Sequence, residues 1–288
     1  MGISAGPRQL IFNEVNSADG LSIAFVRVGR GPPLVIVHGG LTVAEDWIPV
    51  ANELGSTHTV YVMDRRGQGR SDDAGRAYSL QREIDDVAAL IHEAGDGPIL
   101  FGHSFGGGLA LGYAIQSGFS ENLILYEPGH AVADSNWFSG KYLSTAEELL
   151  TLGRAEDALR LIYAESGGTA MTEEVQRLRQ TPRWTLQVTL VSSLLREIRA
   201  LEGFAPSARD LACIKSRVTV LVGTETPFAM QYGSAASLVG RIRDLSLLPI
   251  LGQGHNCHIW DPPLMAQMIL SATKSPAARA AGTPDQQP

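Results

Sequence analysis

The chain has 288 residues, of which 23 are basic and 30 acidic, so its formal net charge is −7. A surface of that sign repels phosphate groups, and we therefore expect neither nucleic-acid binding nor a basic membrane-binding face. The 44% of hydrophobic residues and 18% of charged residues are typical of a globular protein and exclude wholesale disorder, coiled coil and collagen. Two cysteines are too few for a disulfide scaffold.

The N-terminal segment MGISAGPRQL contains no basic region followed by an apolar core, so it does not match a secretory signal. Position 6 is Gly6, where the myristoylation pattern requires serine or threonine. No apolar run approaches the roughly 18 residues that cross a bilayer. We therefore expect a cytoplasmic protein without a membrane partner, and the oligomeric state stays open, with a homodimer as one option.

In chain order, the first predicted element is a hairpin over residues 9–29, where apolar side chains alternate on either side of Gly20. Short apolar runs then predict strands buried on both faces: Leu34–Val37, Val60–Met63, Ile99–Phe101, Leu123–Tyr126, Val218–Val222 and Leu245–Leu251. Helical patterns separate several of them, for example at 79–93 and 104–116. This alternation predicts an α/β fold with a mostly parallel, doubly wound sheet.

A long segment interrupts the alternation, since residues 131–205 contain helical patterns and no convincing strand. We interpret 131–205 as a helical cap inserted into a core formed by 1–130 and 206–274; plain crossover helices without a gating role are the alternative. The tail, 275–288, lacks apolar periodicity and is predicted to be disordered.

Three helices are predicted within the cap. The first starts at Ser144, which forms a capping-box spacing with Glu147, and the second starts at Thr172 after a break at Gly167 and Gly168. The third covers 183–201, and its neighbouring charges Arg196 and Glu197 are expected to join helices.

The strongest chemical signal is Gly102-His103-Ser104-Phe105-Gly106, which follows a predicted strand and opens a predicted helix. This is G-x-S-x-G in its strand–turn–helix context, and the tight turn holds the Ser104 hydroxyl at the open edge of the sheet. The outer glycines are expected because side chains there would collide with neighbouring backbone. Ser104 is the predicted nucleophile.

Two glycine-containing loops complete the expected site. His38-Gly39-Gly40 follows the strand 34–37, and we expect the amides of Gly40 and Phe105 to form an oxyanion hole. Gly39 is expected to border the substrate, and His38 to support the loop by hydrogen bonding. In the segment Asp64–Ser71, the charged residues are expected to form structural ion pairs.

His255 follows the last strand in Gly252-Gln253-Gly254-His255 and is the histidine best placed to act as a base toward Ser104. His255-x-x-His258 with Cys257 is a single short cluster, below the usual ligand count of a metal site, so we expect no metal. Serine acyl transfer also needs no organic cofactor.

The order of these motifs resembles the α/β-hydrolase superfamily over about residues 10–272, and the resemblance implies an α/β-hydrolase fold. Most members carry their acid as Gly-x-x-Asp after the strand that follows the cap, but this chain has Thr226 there. Two carboxylates are alternatives: Glu225, one residue earlier, and Glu127, which follows the strand 123–126. The latter is similar to the arrangement in haloalkane dehalogenases with a post-strand Glu and in fungal zearalenone lactonases, so Glu127 is favoured over Glu225.

Five aromatic residues of the cap are candidate pocket walls: Trp137, Phe138, Tyr142, Tyr163 and Trp184. Trp184 is the preferred substrate-contacting residue. An aromatic-lined apolar cavity suits a medium-sized hydrophobic ester or lactone. The leading hypothesis is thus a serine esterase or lactonase that works through an acyl-enzyme. The alternatives are a cofactor-free non-hydrolytic or C–C bond-cleaving enzyme of this fold, and a receptor-like ligand-binding protein.

Overall fold

The computed structural model describes residues 10–73, 77–129, 140–226 and 235–274. Its first two strands, β1 (Phe12–Asn16) and β2 (Ser22–Gly29), form the predicted antiparallel hairpin. Gly20 lies in the turn with a φ of +80°, a backbone conformation that glycine adopts without steric cost. The tail 275–288, predicted to be disordered, lies outside the described residues.

The hairpin continues into one eight-stranded sheet with the order β1-β2-β4-β3-β5-β6-β7-β8. The pairs β1–β2 and β2–β4 are antiparallel, and every later pair is parallel. The mostly parallel sheet predicted from the apolar runs is therefore confirmed. The remaining strands are β3 (Pro33–Val37), β4 (Thr59–Met63), β5 (Ile99–His103), β6 (Leu123–Tyr126), β7 (Val218–Gly223) and β8 (Leu245–Ile250).

Helices cover both faces of this sheet, as the doubly wound prediction requires. They are α1 (Ala44–Leu54), α2 (Leu80–Ala94), α3 (Phe105–Ser117), α7 (Ala208–Ala212), α8 (Cys257–Trp260) and α9 (Pro262–Lys274). Strand β3 shows why its run is continuously apolar: Leu34 and Ile36 pack with α1 and α9, whereas Val35 and Val37 pack with α2 and α3. Because side chains alternate along a strand, both faces need apolar residues.

Between β6 and β7 the chain forms three helices, which we call the helical insert: α4 (Gly140–Thr151), α5 (Ala155–Leu178) and α6 (Arg183–Glu202). Apolar side chains from all three helices form a hydrophobic cluster separate from the two clusters of the sheet. The third helix agrees with its predicted range.

The starts predicted for the first two insert helices are wrong. Helix α4 begins at Gly140, one turn before Ser144, and Thr172 lies inside α5 rather than at its start. Gly167 and Gly168 do not break α5. A glycine costs a helix only about 1 kcal/mol relative to alanine, and the apolar packing on both sides of the pair outweighs that cost.

Among the described residues, no helix is both long and apolar enough to cross a membrane.

Candidate active site

Ser104 lies at the junction of β5 and α3, in a sharp turn. Its φ is +51° and its ψ is −121°, which is a strained conformation for a residue with a side chain. A Cβ on Gly102 would lie 2.5 Å from the carbonyl oxygen of Gly106, and one on Gly106 would lie 2.3 Å from the carbonyl oxygen of Val37. Both glycines are therefore required by close backbone contacts, as the motif predicts.

The described residues other than glycine with positive φ are Leu41, Ser104 and Glu127, at +58°, +51° and +46°. Each belongs to a different segment of the predicted site: the loop after β3, the turn after β5 and the residue after β6. Such conformations cost about 1–3 kcal/mol each and concentrate at functional sites. The strain thus coincides with the positions that the motifs single out.

His255 and Glu127 form the central polar contact of this region. The His255 Nδ1 and the Glu127 Oε2 lie 2.6 Å apart, and the other carboxylate oxygen, Oε1, accepts the Gly223 backbone N–H at 2.8 Å. The Glu127 side chain is completely buried, whereas 18% of the His255 side chain is exposed. The carboxylate is fixed at both oxygens, and the imidazole retains access from outside.

The other candidate acid lies elsewhere. Glu225 is exposed in the turn after β7, and its backbone N–H donates to the Gln253 carbonyl at 2.9 Å. Thr226, at the usual acid position, is buried. Of the two carboxylates considered from the sequence, the structure brings Glu127 to His255.

The loop that carries His255 is held by β6. The hydroxyl of Tyr126, the last residue of β6, donates to the Gly254 carbonyl and accepts the Cys257 backbone N–H at 3.4 Å. His103, directly before the serine, donates from Nε2 to the His255 carbonyl at 3.0 Å, and the two rings are 4.6 Å apart. These contacts place His255 beside the residue adjacent to Ser104. The sequence motifs did not identify Tyr126.

The loop after β3 lies against the serine. A Cβ on Gly39 would lie 2.9 Å from the Ser104 Cβ, so only glycine permits this approach. His38 is buried, and its Nε2 accepts the Arg65 backbone N–H at 3.1 Å. Burial lowers the pKa of His38 to about 3, so its ring is neutral. His38 therefore supports the loop by hydrogen bonding, as predicted.

The charged residues that follow β4 form buried ion pairs beneath the loops, in agreement with the prediction. Arg65 contacts Glu83 at 2.7 Å, and Arg66 contacts Asp86 at 2.6 Å. Both carboxylates belong to α2 and are completely buried. The Asp64 carboxylate instead accepts backbone N–H groups, including that of Ala44 at 2.7 Å.

Arginine–carboxylate pairs join the helical insert to the sheet domain. Glu197 of α6 contacts Arg65 at 2.9 Å, and Arg196 contacts Asp73 at 2.7 Å. Arg183, at the start of α6, pairs with Asp46 of α1. The prediction that Arg196 and Glu197 join helices is wrong, since both bind residues of the loop after β4, which their side of α6 faces.

Trp184 is buried in the hydrophobic cluster of the insert, where its ring lies 6.4 Å from that of Tyr163. Tyr142 is buried in the same cluster. These contacts belong to the packing of the insert, and a role for Trp184 in the substrate pocket stays a prediction. Trp137 and Phe138 lie outside the described residues.

Two further histidines are buried near His255. His258 stacks on Trp47 with a centroid distance of 4.3 Å, and the His103 ring lies 4.7 Å from that of His258. Burial is the main reason why the pKa values of His103 and His258 lie well below 6.5, and the positive charge of Arg183 adds to the effect at His258. Both rings are therefore neutral at pH 7.

In the described part of the chain, no group of three or more His, Cys, Asp or Glu side chains is arranged to hold a metal ion.

Replacement of His258 by phenylalanine is expected to make stability less sensitive to acid. The unfolded chain takes up a proton on this histidine below about pH 6.5 whereas the folded chain does not, so acidification favours unfolding. His258→Phe removes that proton and keeps the ring on Trp47. Relative to the parent, its free energy of unfolding should rise by up to about 1.4 kcal/mol for each pH unit below 6.5.

Urea denaturation at pH 7.5, 6 and 5 measures this effect. At pH 7.5 the variant should be at least as stable as the parent, because neither ring nitrogen of His258 has a hydrogen-bond partner among the described residues. A stability difference that stays constant across the three pH values would show that His258 does not titrate differently in the folded and unfolded states.

Known proteins resemble this chain in sequence. A family model described as "Alpha/beta hydrolase family" matches residues 34–268. The chain is 33% identical over 105 residues to a cis-3-alkyl-4-alkyloxetan-2-one decarboxylase of Shewanella oneidensis, a match that covers 35% of this chain and 33% of the relative. It is 36% identical over 108 residues to a non-heme chloroperoxidase of Streptomyces lividans, and this match covers 36% of this chain and 39% of the relative. These alignments thus span well under half of the curated relatives.

Solved structures match over much more of the chain. An alpha/beta hydrolase from Sphaerobacter thermophilus is 31% identical with a TM-score of 0.76, and the match covers 89% of this chain and 100% of that one. An esterase from Exiguobacterium antarcticum is 20% identical with a TM-score of 0.72 and covers 92% and 100%. The latter similarity concerns the fold alone.

Proposed function

The chain belongs to the alpha/beta hydrolase family, and we propose that it is a serine hydrolase that cleaves a carboxylic ester or lactone through an acyl-enzyme. The observation that supports this proposal is the 2.6 Å contact between the His255 Nδ1 and the buried Glu127 carboxylate, beside a strained serine turn. In this proposal Ser104 is the nucleophile, His255 the base and Glu127 the acid.

The hydrogen bonds around Glu127 determine which tautomer His255 adopts. An ionised carboxylate only accepts hydrogen bonds, so the proton of the neutral imidazole lies on Nδ1. The lone pair is then on Nε2, the nitrogen that can take the Ser104 proton. Glu127 also stabilises the imidazolium that forms when this proton is transferred.

The proposed reaction has two stages. In the first, Ser104 Oγ bonds to the carbonyl carbon, its proton moves to His255 Nε2, and the carbonyl oxygen becomes an oxyanion that the amides of Gly40 and Phe105 bind. The oxyanion collapses, the ester C–O bond breaks, and the leaving alkoxide takes the proton from His255. In the second stage, water attacks the acyl-enzyme with His255 as base, and this releases the acid and regenerates Ser104.

The surroundings of Gly40 support the proposed substrate class. Leu194 of α6 approaches Gly40 closely, since a Cβ on that glycine would lie 2.7 Å from its Cδ1. Leu194 thus borders the proposed oxyanion hole, and in this proposal 131–205 acts as a cap and Gly39 and Trp184 contact the substrate. This environment favours a medium-sized hydrophobic small molecule as the substrate.

We also propose that the protein is located in the cytoplasm.

The names of the curated relatives support a second candidate, a cofactor-free non-hydrolytic reaction. One of them is called an oxetanone decarboxylase, and such an activity would turn a 3,4-dialkyloxetan-2-one into carbon dioxide and an alkene. Hydrolysis of the same β-lactone adds water and gives a 3-hydroxy acid. Product analysis with this one substrate separates the two reactions, and we expect the 3-hydroxy acid.

The acyl-enzyme is the direct test of the proposal. We expect p-nitrophenyl butyrate to release p-nitrophenol, and an acid quench during turnover to leave a butyryl group on the peptide that contains Ser104, detectable by mass spectrometry. Ser117, exposed at the end of α3, is an internal control and should stay unmodified. Absence of turnover with p-nitrophenyl esters and lactones, or an acyl group at another residue, would refute the proposed function.

A further inference from the structure

The carbonyl oxygen of Gly39 is surrounded by hydrogen-bond donors. The hydroxyl of Thr42 donates to it at 2.9 Å, and Arg65 Nη1 does so at 3.3 Å. The third contact is His38 Nδ1 at 2.8 Å. Because His38 Nε2 accepts the Arg65 backbone N–H, the proton of the neutral ring lies on Nδ1, which is therefore also a donor.

These contacts fix more than the carbonyl. The Gly39 C=O and the Gly40 N–H belong to one planar trans peptide group, in which they point in opposite directions. Holding the oxygen toward Arg65 and His38 therefore turns the Gly40 N–H toward the opposite side. That N–H is one of the two proposed oxyanion donors, so its direction depends on what binds the Gly39 oxygen.

Arg65 also contacts the residue that supplies the second donor. Its guanidinium carbon lies 4.2 Å from the ring centre of Phe105. The Phe105 amide is the first in α3, so it has no acceptor within the helix and is available to an oxyanion. The guanidinium donates two hydrogen bonds to the Glu83 carboxylate, from Nε at 2.8 Å and from Nη2 at 2.7 Å, and these fix its orientation. A rigid planar side chain thus touches both halves of the proposed hole.

The third carboxylate contact of Arg65 comes from the helical insert. Glu197 Oε1 accepts from Arg65 Nη2 at 2.9 Å and also from the amide of Gln68. Both Arg65 and Glu197 are completely buried. Glu197 Oε2 has no hydrogen-bond partner among the described residues and would lie 3.2 Å from a Cβ on Gly40. The carboxylate from the insert therefore reaches both Arg65 and the oxyanion loop.

We propose that Arg65 is a positioning residue that orients both amide donors of the oxyanion hole, and that Glu197 makes this orientation depend on the docked helical insert. The inference rests on the proposed function, since it concerns the oxyanion of that reaction. Neither residue exchanges a proton or a bond with the substrate. Arg65 acts through the Gly39–Gly40 peptide and the Phe105 ring.

Arg65→Lys tests the first half of the inference. A lysine keeps the charge, but one ammonium group cannot bind Glu83 at two points, Glu197 and the Gly39 oxygen together. Loss of a complete oxyanion donor lowers kcat by about 10²–10³-fold. A misdirected donor should lower kcat for p-nitrophenyl butyrate at least about tenfold. It should leave KM within about threefold, because the bound substrate carries no oxyanion before Ser104 attacks.

An alkyl trifluoromethyl ketone provides a readout that a merely structural role would not change. Ser104 adds to its carbonyl carbon, the serine proton moves to His255, and the ketone oxygen becomes an alkoxide in the oxyanion hole. We expect its inhibition constant to increase by the same factor by which kcat/KM decreases in Arg65→Lys. Loss of folded protein alone would lower the apparent kcat without weakening the binding of this inhibitor.

Arg66→Lys is the matched control. The neighbouring arginine is similarly buried and binds Asp86 through two contacts of 2.6 Å. Its other side-chain contacts are with Asp19 and the Arg82 carbonyl rather than with the Gly39 oxygen. Arg66→Lys should lose stability as Arg65→Lys does and keep the parent kcat and inhibitor affinity. If Arg66→Lys loses both to the same extent as Arg65→Lys, the effect is not specific and the inference is wrong.

Glu197→Ala tests the second half and also serves if Arg65→Lys does not fold. Glu83 continues to pair with Arg65, so the variant should fold, and kcat and ketone affinity should decrease together by about threefold or more. Folded variants at both positions that keep the parent kcat and ketone affinity would overturn the inference alone. A parent protein that neither hydrolyses the ester nor binds the ketone would instead overturn the proposed function.

Discussion

Ser104→Ala is expected to lower kcat for p-nitrophenyl butyrate by about 10⁴–10⁶-fold, to the level that binding and the oxyanion hole alone provide. The reason is chemical, since alanine has no oxygen to form the acyl-enzyme. Alanine keeps the Cβ that contacts Gly39, and the backbone strain at φ +51° is unchanged. The free energy of unfolding should therefore stay within about 1 kcal/mol of the parent value.

Ser117→Ala is the control for this experiment, because it removes a hydroxyl from the exposed end of the same helix. It should keep the full kcat, and urea denaturation should show both variants folded. Purified Ser104→Ala protein that retains full turnover would show that another residue is the nucleophile. The amplitude of a p-nitrophenol burst in the Ser104→Ala preparation gives the concentration of contaminating parent active sites, so residual activity from contamination can be recognised.

Glu127→Gln is expected to lower kcat by about 10⁴-fold, close to the effect of converting a triad aspartate to asparagine elsewhere. The Gly223 N–H is a donor and must face the oxygen of the new amide. The NH₂ group then faces His255 Nδ1, which can accept it only as an unprotonated nitrogen. The imidazole proton moves to Nε2, and the nitrogen that should accept the Ser104 proton is blocked.

Glu225→Gln is the matched control, with the same change on the other candidate carboxylate. Since the Glu225 side chain is exposed and His255 Nδ1 contacts the Glu127 carboxylate instead, the kcat of Glu225→Gln should stay within about twofold of the parent. The pH dependence of kcat should be measured on both variants. If Glu127→Gln has lost the His255 tautomer that accepts the Ser104 proton, no pH at which the protein is stable should restore its kcat. If Glu225→Gln loses activity and Glu127→Gln keeps it, the acid belongs after β7.

The elements that the sequence predicted well are those with a strong local pattern. The buried strands are short runs of Val, Ile and Leu that contact helices on both sides, as β3 shows, and such continuous apolar runs are typical of strands buried on both faces. Helix α1 was not predicted, and Pro49 inside it is ordinarily a helix-ending signal. The starts predicted for α4 and α5 are wrong because tertiary packing overrides a capping pattern and a pair of glycines.

Within the site, the serine turn and the glycine loops are readable because steric constraints dictate their residues locally. The preference for Glu127 came from its position after β6 and from a resemblance, and the structure adds the contact with His255. Tyr126, Arg65 and Glu197 contact partners far away in the chain, as in the 2.9 Å pair between α6 and the loop after β4. No local pattern encodes such a pair, so a single sequence does not reveal it.

The ion pairs between the helical insert and the sheet domain limit how chimaeric enzymes can be assembled from relatives of this protein. Their members on the sheet side, Asp46, Arg65 and Asp73, are encoded before the insert begins, and their partners lie on α6. An insert grafted from another hydrolase without an equivalent of Arg183 would leave the buried Asp46 carboxylate without its counter-ion, a cost of several kcal/mol. Arg65 would keep its pair with Glu83, and the partly exposed Asp73 would be solvated. Successful grafts should therefore transplant both sides of the Arg183–Asp46 pair together.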